Sequence, residues 1–539
     1  MIISKIYVQN YKLLKEVCFD INPDINVFVG ENDAGKSTLL EVISILPSGK
    51  LNGYAIQKQI KDNLFNSEVR TEYIQSLSGK AVKPPKIIME AYCGNGDEAY
   101  SGTNNVFGEN CAGIRVEIEF DNQYKTLYEK MLSSGDIKDI PVEFYHAVIN
   151  YFSGDPVFYR NAPIKATYVD TTRKDYTGLV DRFVSENITQ YLSESDQVDL
   201  SLVYRKVRND FKDSEIVAKL NGKLIEDKAL NGKNVSIELK EGEVDEWKRQ
   251  MAISVENIPF DQIGFGSQNI IKVELAIKND SNNANLILLE EPENCLSYTN
   301  MSKLIHRIAS SGEKQIFIST HSSFIANKLN LDKILLVEKG MVKPFREIPE
   351  STVTYFKKLP GYDTLRLVLA ERVVLVEGPT DDLIIQKAYK EKHDALPIDN
   401  GIDIIVVDSL AFKRYCDIAI AIKKEVAVVT DNDGNIKSKI MDKYADYKDN
   451  SYIHLFYEKD ESLKTIEPSV LAVNCDSNGE PTESFKTIIS KNDSLDGRDY
   501  DGVLSFMSNN KSEWALRVFD SDSSINYPKY IEELLDEYC

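Results

Sequence analysis

The chain has 539 residues, 42% of them apolar, and a formal net charge of −21. This length exceeds what one hydrophobic core can hold and predicts two to four domains. No apolar run could cross a bilayer and the start lacks the pattern of an export signal, so a cytoplasmic protein without membrane contact is expected. The seven cysteines are scattered and odd in number, which favours reduced thiols over disulfides or a zinc site.

The acidic charge limits how the chain could bind a nucleic acid. Affinity for the phosphate backbone comes mainly from Lys and Arg, and here 85 acidic residues outnumber 64 basic ones. Bound divalent ions would offset part of this difference. Any contact with nucleic acid is therefore expected to use a local basic surface and to weaken with salt.

A phosphate-binding loop follows the first predicted strands. The last of these strands ends at residue 29 and runs into Gly-Glu-Asn-Asp-Ala-Gly-Lys-Ser at 30–37. A helix is predicted next, ending at Pro47. In this setting backbone N–H groups cradle phosphates, Lys36 reaches the β- and γ-phosphates, and Ser37 binds Mg²⁺. The nucleotide-binding residues predicted here are Gly30, Asn32, Gly35, Lys36, Ser37 and Thr38.

The sequence between this loop and the next motif carries few functional signals. Tyr-Val-Asp-Thr-Thr-Arg at 168–173 fits a strand end with a basic residue, and it fits a surface loop equally well. From 179 to 230 the pattern is helical and highly charged, with apolar residues such as Leu202 and Phe211 at helical spacing. We interpret this part as a helical insertion that pairs two subunits. A solvated helical arm fits the same pattern.

Three further motifs follow in order. Gly-Phe-Gly-Ser-Gln-Asn at 264–269 introduces a predicted helix, and an apolar strand then ends in Glu290 and Glu291. A second apolar strand ends at His321. Singly, the glycine-containing segment is a weak match, and His321 fits a structural histidine. Their order after the phosphate-binding loop favours a nucleotide site.

Two later apolar runs stop abruptly at acidic residues. One ends at Glu377, with Asp381 shortly after it, and the other ends at Asp431 and Asp433. Parallel strands of an open α/β sheet place such residues at one edge of the sheet. Carboxylates gathered there would repel one another unless they shared hard cations, which predicts a Mg²⁺ or Mn²⁺ site and phosphoryl chemistry. The alternative is an ordinary polar turn and a solvated strand end.

The order of the earlier motifs resembles that of ABC-type ATPase heads, as in RecF-like and SMC-like proteins. The resemblance implies that Glu290 is associated with Mg²⁺, that Glu291 polarises the attacking water and that His321 senses the γ-phosphate of ATP. It also implies that Gly266 and Gln268 of one subunit complete the nucleotide site of another. The protein is then expected to be a homodimer or a higher homo-oligomer.

The chain departs from this family pattern at Glu290 and at Asn294-Cys295-Leu296-Ser297, where relatives often carry histidines after Glu-Pro-Glu. Glu290 stands where Asp is common, and a longer acid would hold Mg²⁺ through water. The Q-loop glutamine of the family is not identified, and Gln57 and Gln59 are the candidates.

The acids near the C-terminal end resemble a second family. Glu-Gly at one strand end and Asp-x-Asp at another is the pattern of the TOPRIM domain, the metal-binding fold of topoisomerases, bacterial primases and OLD-family nucleases. An ABC-type head followed by TOPRIM resembles the OLD (overcoming lysogenization defect) family of ATP-dependent nucleases, which includes the nuclease subunit of Gabija-type systems. These nucleases carry a further acid and a late lysine, and Glu467 and Lys511 match those places by order. An exposed charge at a helix start fits Lys511 equally well.

The OLD resemblance also implies a mechanism, the two-metal hydrolysis of a phosphodiester. One metal lowers the pKa of the attacking water, the other stabilises the leaving oxygen, and Lys511 neutralises charge on the phosphate. The implied ligands of Mg²⁺ or Mn²⁺ are Glu377, Asp381, Asp431, Asp433 and Glu467. The implied catalytic residues are Glu377, Asp431, Asp433 and Lys511 in the nuclease and Glu291 in the ATPase.

We therefore predict an α/β chain with an ABC-type P-loop ATPase head and a helical insertion, followed by a Rossmann-like TOPRIM domain. The predicted boundaries are 1–177 and 251–343 for the two parts of the head, 178–250 for the insertion, 344–370 for a linker and 371–539 for TOPRIM.

The function implied is an ATP-regulated, metal-dependent endonuclease that cleaves nucleic acid in prokaryotic defence against phage. DNA is the expected substrate, and RNA is the open alternative. A helicase or another defence protein is a candidate partner. A topoisomerase-like enzyme is one alternative, and persistent covalent adducts with DNA would distinguish it. Another is a nucleotide-switched sensor or scaffold with an RNA-cleaving or inactive TOPRIM domain. The intact acids at both strand ends speak against an inactive domain.

Overall fold

A computed structural model describes the chain in two compact units. The first comprises Met1–His321 and Leu335–Pro344, and the second comprises Ser322–Ile334 and Phe345–Cys539. The described residues are 1–77, 83–158, 162–172, 192–226, 236–239, 247, 254–278, 285–310, 312, 314–345, 348–407, 411–490 and 495–539. Among them, no helix has both the length and the apolar character needed to cross a membrane.

The first unit contains two main sheets and several helices. Its strands are β1 (Ile2–Tyr11), β2 (Leu14–Asp20), β3 (Ile25–Val29), β4 (Lys50–Leu51), β5 (Tyr54–Ala55), β6 (Ile87–Gly94), β7 (Ser101–Gly102), β8 (Cys111–Phe120), β9 (Tyr145–Tyr151), β10 (Ala166–Asp170), β11 (Ser254–Val255), β12 (Ile258–Pro259), β13 (Leu286–Glu290), β14 (Gln315–Thr320), β15 (Ile334–Glu338) and β16 (Met341–Pro344). Its helices are α1 (Lys36–Ser48), α2 (Ser67–Ser76), α3 (Lys125–Ser134), α4 (Glu194–Lys212), α5 (Glu215–Glu226), α6 (Phe265–Lys278) and α7 (Tyr298–Ala309).

One sheet of the first unit is antiparallel, in the order β2-β1-β6-β8-β7, with β9 also paired to β8. A side-chain amide ties it to the other sheet. Gln315, the first residue of β14, accepts a hydrogen bond from Ile3 N at 3.0 Å and donates one to Ile3 O at 2.7 Å. Gln315 is buried, so these bonds satisfy polar groups that would otherwise be costly to bury.

The other sheet has the order β10-β13-β14-β3-β15-β16, and its first four strands are parallel. β13 and β14 are buried along their whole length, as expected for strands covered on both faces. The register places Asp170 beside Glu290, Glu290 beside Ser319 and Ser319 beside Phe28. The carboxyl ends of the four strands are therefore level, and the segments that follow them meet at one edge.

Helix α1 continues one residue past Pro47, which was predicted to end it. Gly49 ends the helix in the left-handed conformation, with φ of 60°, and donates to Ile45 O at 2.7 Å. Proline near a C-terminus removes a single helical hydrogen bond, whereas glycine supplies the conformation that a C-cap requires.

Part of the predicted helical insertion, 178–250, is described. It contains α4 and α5, and much of the remainder lies outside the described residues. The apolar residues predicted at helical spacing lie on α4, and their side chains are at least 37% exposed. They are Leu202, Val203, Val207 and Phe211.

The second unit has one parallel sheet and the remaining helices. Its strands are β17 (Arg372–Val376), β18 (Ile402–Val406), β19 (Val426–Val429) and β20 (Ile453–Phe456), in the order β18-β17-β19-β20. Its helices are α8 (Ser323–Leu329), α9 (Glu350–Lys358), α10 (Thr364–Leu369), α11 (Pro379–His393), α12 (Phe412–Ile422), α13 (Ile466–Val473), α14 (Glu483–Ile489), α15 (Tyr500–Asn509), α16 (Lys511–Asp520) and α17 (Lys529–Glu537). Trp514 on α16 is fully buried in the hydrophobic core of this unit.

The linker prediction for 344–370 is wrong, because this segment folds as α9 and α10 within the second unit. Phe356 is fully buried and packs edge-on against Tyr415, with ring centroids 5.4 Å apart. Pro349 lies at the N-cap of α9, so it precedes the helix and does not break it. Two helices of nine and six residues give few turns, which explains why the sequence shows no clear periodicity.

Candidate functional site

The loop at 30–37 joins β3 to the N-terminus of α1. Lys36 is buried and its Nζ donates to Gly30 O at 3.0 Å and to Glu31 O at 2.9 Å. Gly35 has φ of 112°, a conformation that favours glycine. A Cβ at Gly30 would lie 2.3 Å from Val337 O, so no larger residue fits there. The exposed Asn32 and Ser37 and the half-buried Thr38 belong to the same strand, loop and helix start.

Acids at the end of β13 face this lysine. Burial lowers the pKa of Lys36, and the negative charges of Glu291, Glu293 and Glu290 are among those that oppose this effect. Burial raises the pKa of Glu291, and the charge of Glu293 adds to the rise. Nε2 of His321 lies 3.3 Å from Oε1 of Glu291. The structure thus gathers the predicted lysine, acids and histidine at the carboxyl edge of the parallel sheet.

Tyr168 on β10 and Thr171 just after it form hydrogen bonds with Glu290 and Glu291. These contacts were not predicted from the sequence. The Tyr168 hydroxyl donates to Glu290 Oε2. The hydroxyl of Thr171, which is fully buried, donates to Glu290 O at 2.8 Å and also to Glu291 O. Glu291 has φ of 45°, which is disfavoured for a residue with a side chain. The Thr171 contacts support this backbone turn.

The segment 264–269 lies at the start of α6. The Gln268 side chain donates to Ile263 O at 3.0 Å, so it holds the turn before the helix. A Cβ on Gly266 would lie 2.4 Å from Cys295 O, which requires glycine at this close approach. Asn269 donates to Asn294 O at 3.1 Å. The segment is therefore fixed against the turn that follows β13.

Of the two Q-loop candidates, Gln57 uses its side chain to bond β9. Its Oε1 accepts from Ala147 N at 2.7 Å, and its Nε2 donates to Tyr145 O at 3.3 Å.

In the second unit, the ends of β17 and β19 meet. Oε1 of Glu377 accepts a hydrogen bond from Thr430 Oγ1 at 2.5 Å and one from Asp431 N at 3.3 Å. These bonds join the first residue after β17 to the residues after β19. The predicted convergence of the two acidic strand ends is thus present.

Asp381 and Glu467 lie in the first turns of two helices beside these strand ends. Asp381 is buried in α11 and accepts from Gly378 N at 3.1 Å. Glu467 is buried in α13 and accepts from Thr465 Oγ1 at 2.6 Å. Nζ of Lys511, the first residue of α16, lies 3.5 Å from Glu467 Oε1. Glu467 and Lys511, which match the OLD-family pattern by their order in the sequence, therefore lie next to each other in the structure.

Asn432 separates Asp431 from Asp433 and was not predicted as important. It is fully buried, and its Nδ2 donates to Glu458 O and Asp460 O, each at 2.9 Å. Asp433 is exposed and pairs with Lys439 at 2.9 Å. The asparagine thus anchors the turn that presents both aspartates. A fully polar triplet in the sequence gave no sign that its middle residue is buried.

The carboxyl groups strongly affect one another. Burial and the charges of Glu377 and Glu467 raise the pKa of Asp381 to about 7. Burial and the charges of Asp381 and Glu377, followed by Glu467 and Asp433, raise the pKa of Asp431 to about 9. Such shifts mark a concentration of negative charge that favours protons or cations.

The chemistry of this set fits a hard divalent cation, because all its donors are carboxylate oxygens. The proximity of the charges agrees with that fit. Yet among the residues whose structure is described, no three Asp, Glu, His or Cys side chains are arranged as a ready-made metal site. Glu377, Asp381 and Glu467 each accept a hydrogen bond at a carboxylate oxygen. The strand ends already bring these acids within electrostatic reach of one another, and rotation of the side chains would suffice to turn their oxygens towards a shared cation.

Comparisons with known proteins also divide the chain into an ATPase part and a TOPRIM part. A family model described as AAA ATPase domain matches residues 1–82 and 122–326, together more than half of the chain. A model described as overcoming lysogenization defect protein-like TOPRIM domain matches residues 368–433.

Individual relatives match less of the chain. The DNA replication and repair protein RecF of Staphylococcus carnosus is 35% identical over 68 residues, 13% of this chain and 18% of that protein. RecF of Colwellia psychrerythraea is 38% identical over 50 residues, 9% of this chain and 13% of that protein. The chain thus spans less than a fifth of either relative.

A solved structure of the recombination mediator protein RecF-ATPrS in the RecFOR pathway is 11% identical, with a TM-score of 0.33. The match covers 64% of this chain and 97% of that one. The two family models indicate an ATPase domain followed by a TOPRIM domain. The chain belongs to the AAA ATPase domain family and joins that domain to a C-terminal TOPRIM domain, as the ATPase–TOPRIM proteins of the OLD family do.

Proposed function

We propose that this protein is an ATP-regulated, divalent-metal-dependent endonuclease that cleaves nucleic acid, with DNA preferred to RNA. The observation that carries the proposal is the meeting of Glu377 and Asp431 at one sheet edge, with Asp381 and Glu467 close enough to raise the pKa of Asp431. A structural ion-pair network would balance such acids with bases. Among the described residues around these acids, Lys511 contacts the buried Glu467 and Lys439 pairs with the exposed Asp433, so two bases face five acids.

In the proposed nuclease, Glu377, Asp381, Asp431, Asp433 and Glu467 would hold Mg²⁺ or Mn²⁺. The bound cation would supply Lewis-acid chemistry, activating water and offsetting negative charge on the phosphodiester. Lys511 lies 60% exposed at the start of α16, so its ammonium group can reach a phosphate oxygen. Asn432 would keep the two aspartates of the turn in place.

In the proposed ATPase, the loop at 30–37 binds the phosphates and Lys36 leaves its carbonyl contacts for the β- and γ-phosphates. Glu291 accepts the proton of the attacking water, and His321 beside it contacts the γ-phosphate. Glu290, which accepts a hydrogen bond from Tyr168, would be associated with Mg²⁺. The ATPase would gate or assemble the nuclease, since the two sets of residues belong to different units.

The preference for DNA and the biological role rest on relatives. The curated relatives with short matching segments are named as DNA replication and repair proteins. The proposed role in prokaryotic defence against phage, as a homo-oligomer with a helicase or another defence protein as partner, rests on the resemblance to the OLD family alone.

The test is a cleavage assay of the full chain on matched DNA and RNA, with Mg²⁺, Mn²⁺, Ca²⁺ or EDTA. We expect DNA cleavage with Mg²⁺ or Mn²⁺ that Asp431→Ala abolishes, while ATP hydrolysis changes by no more than a few-fold. Asp442→Ala is the matched control, because it removes an exposed aspartate from the same region. Cleavage that persists in EDTA, or in Asp431→Ala protein freed of contaminating nuclease, would exclude these acids as the active site.

A further inference from the structure

We propose that Lys413, Lys439 and Lys443 form a binding site for the phosphodiester backbone of a nucleic acid. These three residues are called the lysine surface below. The inference rests on the proposed function, because the acids beside the surface are the candidate nuclease acids. It identifies the local basic surface that an acidic chain needs in order to bind a polyanion.

The lysine surface borders the acids Glu377 and Asp433. Nζ of Lys439 lies 2.9 Å from Oδ2 of Asp433. The charges of Glu377, Asp433, Lys439 and Lys413 all act on Lys443, which places these groups within electrostatic reach of one another. A backbone bound along these lysines would therefore run past the acids.

Two of the lysines are held by aromatic rings. Nζ of Lys443 lies 5.1 Å from the ring centroid of Tyr444 and 5.7 Å from that of Phe412. Nζ of Lys413 lies 5.9 Å from the ring centroid of Tyr447. All three rings are buried, so they offer fixed platforms for the ammonium groups.

Lys413 and Lys443 make no ion pair with an acid in the described part of the chain, unlike Lys439. Lys443 is partly buried, and burial lowers its pKa because an ammonium group loses hydration there. A phosphate would offset that loss, whereas an ordinary solvated lysine would gain little from one. The ammonium groups are thus positioned in advance for an anion.

A nucleic acid fits this arrangement better than a small anion. The three lysines come from two segments, α12 and the residues in and after the π-helix Lys437–Asp442. Spread positive charge beside a candidate phosphodiesterase centre suits successive phosphates of a chain.

The experiment measures binding of a fluorescein-labelled DNA duplex and of an RNA of the same sequence to the full chain by fluorescence anisotropy. Ca²⁺ replaces Mg²⁺, and gels verify that each probe stays intact. KCl is varied to obtain the slope of log Kd against log salt concentration. Two phosphate contacts contribute about 1.8 to that slope for duplex DNA.

The test variant is Lys413→Gln with Lys443→Gln. We expect it to weaken DNA binding about tenfold or more at moderate salt and to reduce the slope by nearly 2. Weakening of RNA alone would assign the same surface to RNA. Thermal unfolding and ATPase rate should match the parent protein, because neither lysine contacts the proposed ATPase residues.

The matched control is Lys390→Gln with Lys423→Gln. Nζ of Lys390 lies 6.0 Å from the ring centroid of Phe519. Lys390 lies in the last turn of α11, and Lys423 is the C-cap of α12. The control removes the same charge and should leave the slope unchanged. Three results would overturn the lysine surface. The test and control variants could lose equal affinity, the test variant could bind as tightly as the parent protein, or the parent protein could fail to bind either probe.

Failure of this inference differs from failure of the nuclease proposal. If the parent protein cleaves DNA and the test variant binds DNA as tightly as the parent does, only the lysine-surface proposal is excluded. If the parent protein binds nucleic acid through these lysines but never cleaves it with Mg²⁺ or Mn²⁺, the lysine-surface proposal stands and the nuclease proposal is excluded.

Discussion

The hydroxyl group of Tyr168 donates a hydrogen bond to Oε2 of Glu290. β10 and β13 are parallel neighbours, which brings together residues more than a hundred positions apart in the sequence. Burial raises the pKa of Tyr168, and the charge of Glu290 acts in the same direction, so the hydroxyl stays protonated. The bond fixes one oxygen of a glutamate that stands where a shorter aspartate is common in related ATPases.

Removal of this hydroxyl should impair ATP hydrolysis. We expect Tyr168→Phe to lower kcat roughly tenfold, because a hydrogen bond to a charged group contributes about 1.5–3 kcal/mol. The Mg²⁺ concentration for half-maximal rate should rise. Tyr145→Phe is the control, since it removes another buried tyrosine hydroxyl, one that bonds Pro85 O at 2.8 Å. A parental Mg²⁺ dependence in Tyr168→Phe would contradict a positioning role.

Thr171 should matter through the backbone of Glu291. Thr171→Val keeps the side-chain shape but removes the donor to Glu290 O and Glu291 O. Because Glu291 holds a disfavoured conformation that costs about 1–3 kcal/mol, we expect kcat to fall several-fold with the KM for ATP unchanged. Thr171→Ser should restore the rate. If valine and serine variants behave alike, the hydroxyl has no such role.

Lys36 and Glu291 should separate binding from hydrolysis. Lys36→Ala should abolish tight nucleotide binding, because it removes the charge that meets the phosphates. Glu291→Gln should retain binding and lose hydrolysis by about 100-fold or more, because it removes only the proposed base. Nucleotide titration and phosphate release measure the two effects. Parental hydrolysis by Glu291→Gln would refute its assignment.

The nucleotide site is expected to be shared between subunits. Lys36→Ala and Gln268→Ala should each be inactive alone, yet mixing them should restore part of the ATPase activity, because each mixed dimer retains one intact site. Gln268 also holds the turn before α6, so circular dichroism of the Gln268 variant is needed as a control for folding. A strictly monomeric protein in light scattering that still hydrolyses ATP would exclude the shared site.

Metal binding should depend on pH through Asp381 and Asp431, whose pKa values lie near 7 and 9 in the folded chain. The unfolded chain loses these protons near its ordinary value of 3.8. Between those limits the folded state binds more protons, so stability without metal falls as pH rises. A divalent cation competes with the protons and should stabilise more at high pH.

Thermal unfolding in EDTA and in Mn²⁺ at pH 6 and pH 8.5 tests this expectation. The increase in Tm caused by Mn²⁺ should be larger at the higher pH and should shrink in Asp431→Asn. Asp442→Asn should behave as the parent protein does. Equal stabilisation at both pH values would show that Mn²⁺ does not compete with these protons.

Strand ends were the most predictable parts of the chain. Buried parallel strands appear in the sequence as continuous apolar runs. The abrupt ends of such runs therefore predicted the position of the glycine-containing loop at 30–37 and of the acidic residue Glu377. The contacts of Tyr168 and Asn432 were not predictable, because they depend on which strand or loop lies alongside. The segment 344–370 was misjudged because its two helices are short and because prolines lie before and after the first of them, at 349 and 360.

The burial of Trp514 gives the second unit an intrinsic optical probe. The chain has two tryptophans, and Trp247→Phe would leave one indole, three residues from Lys511 on α16. This helix packs against α11, which carries Asp381. Indole emission moves to longer wavelength when water reaches the ring, so fluorescence could follow local opening of this helix pair as cations or nucleic acid are added, without any attached label.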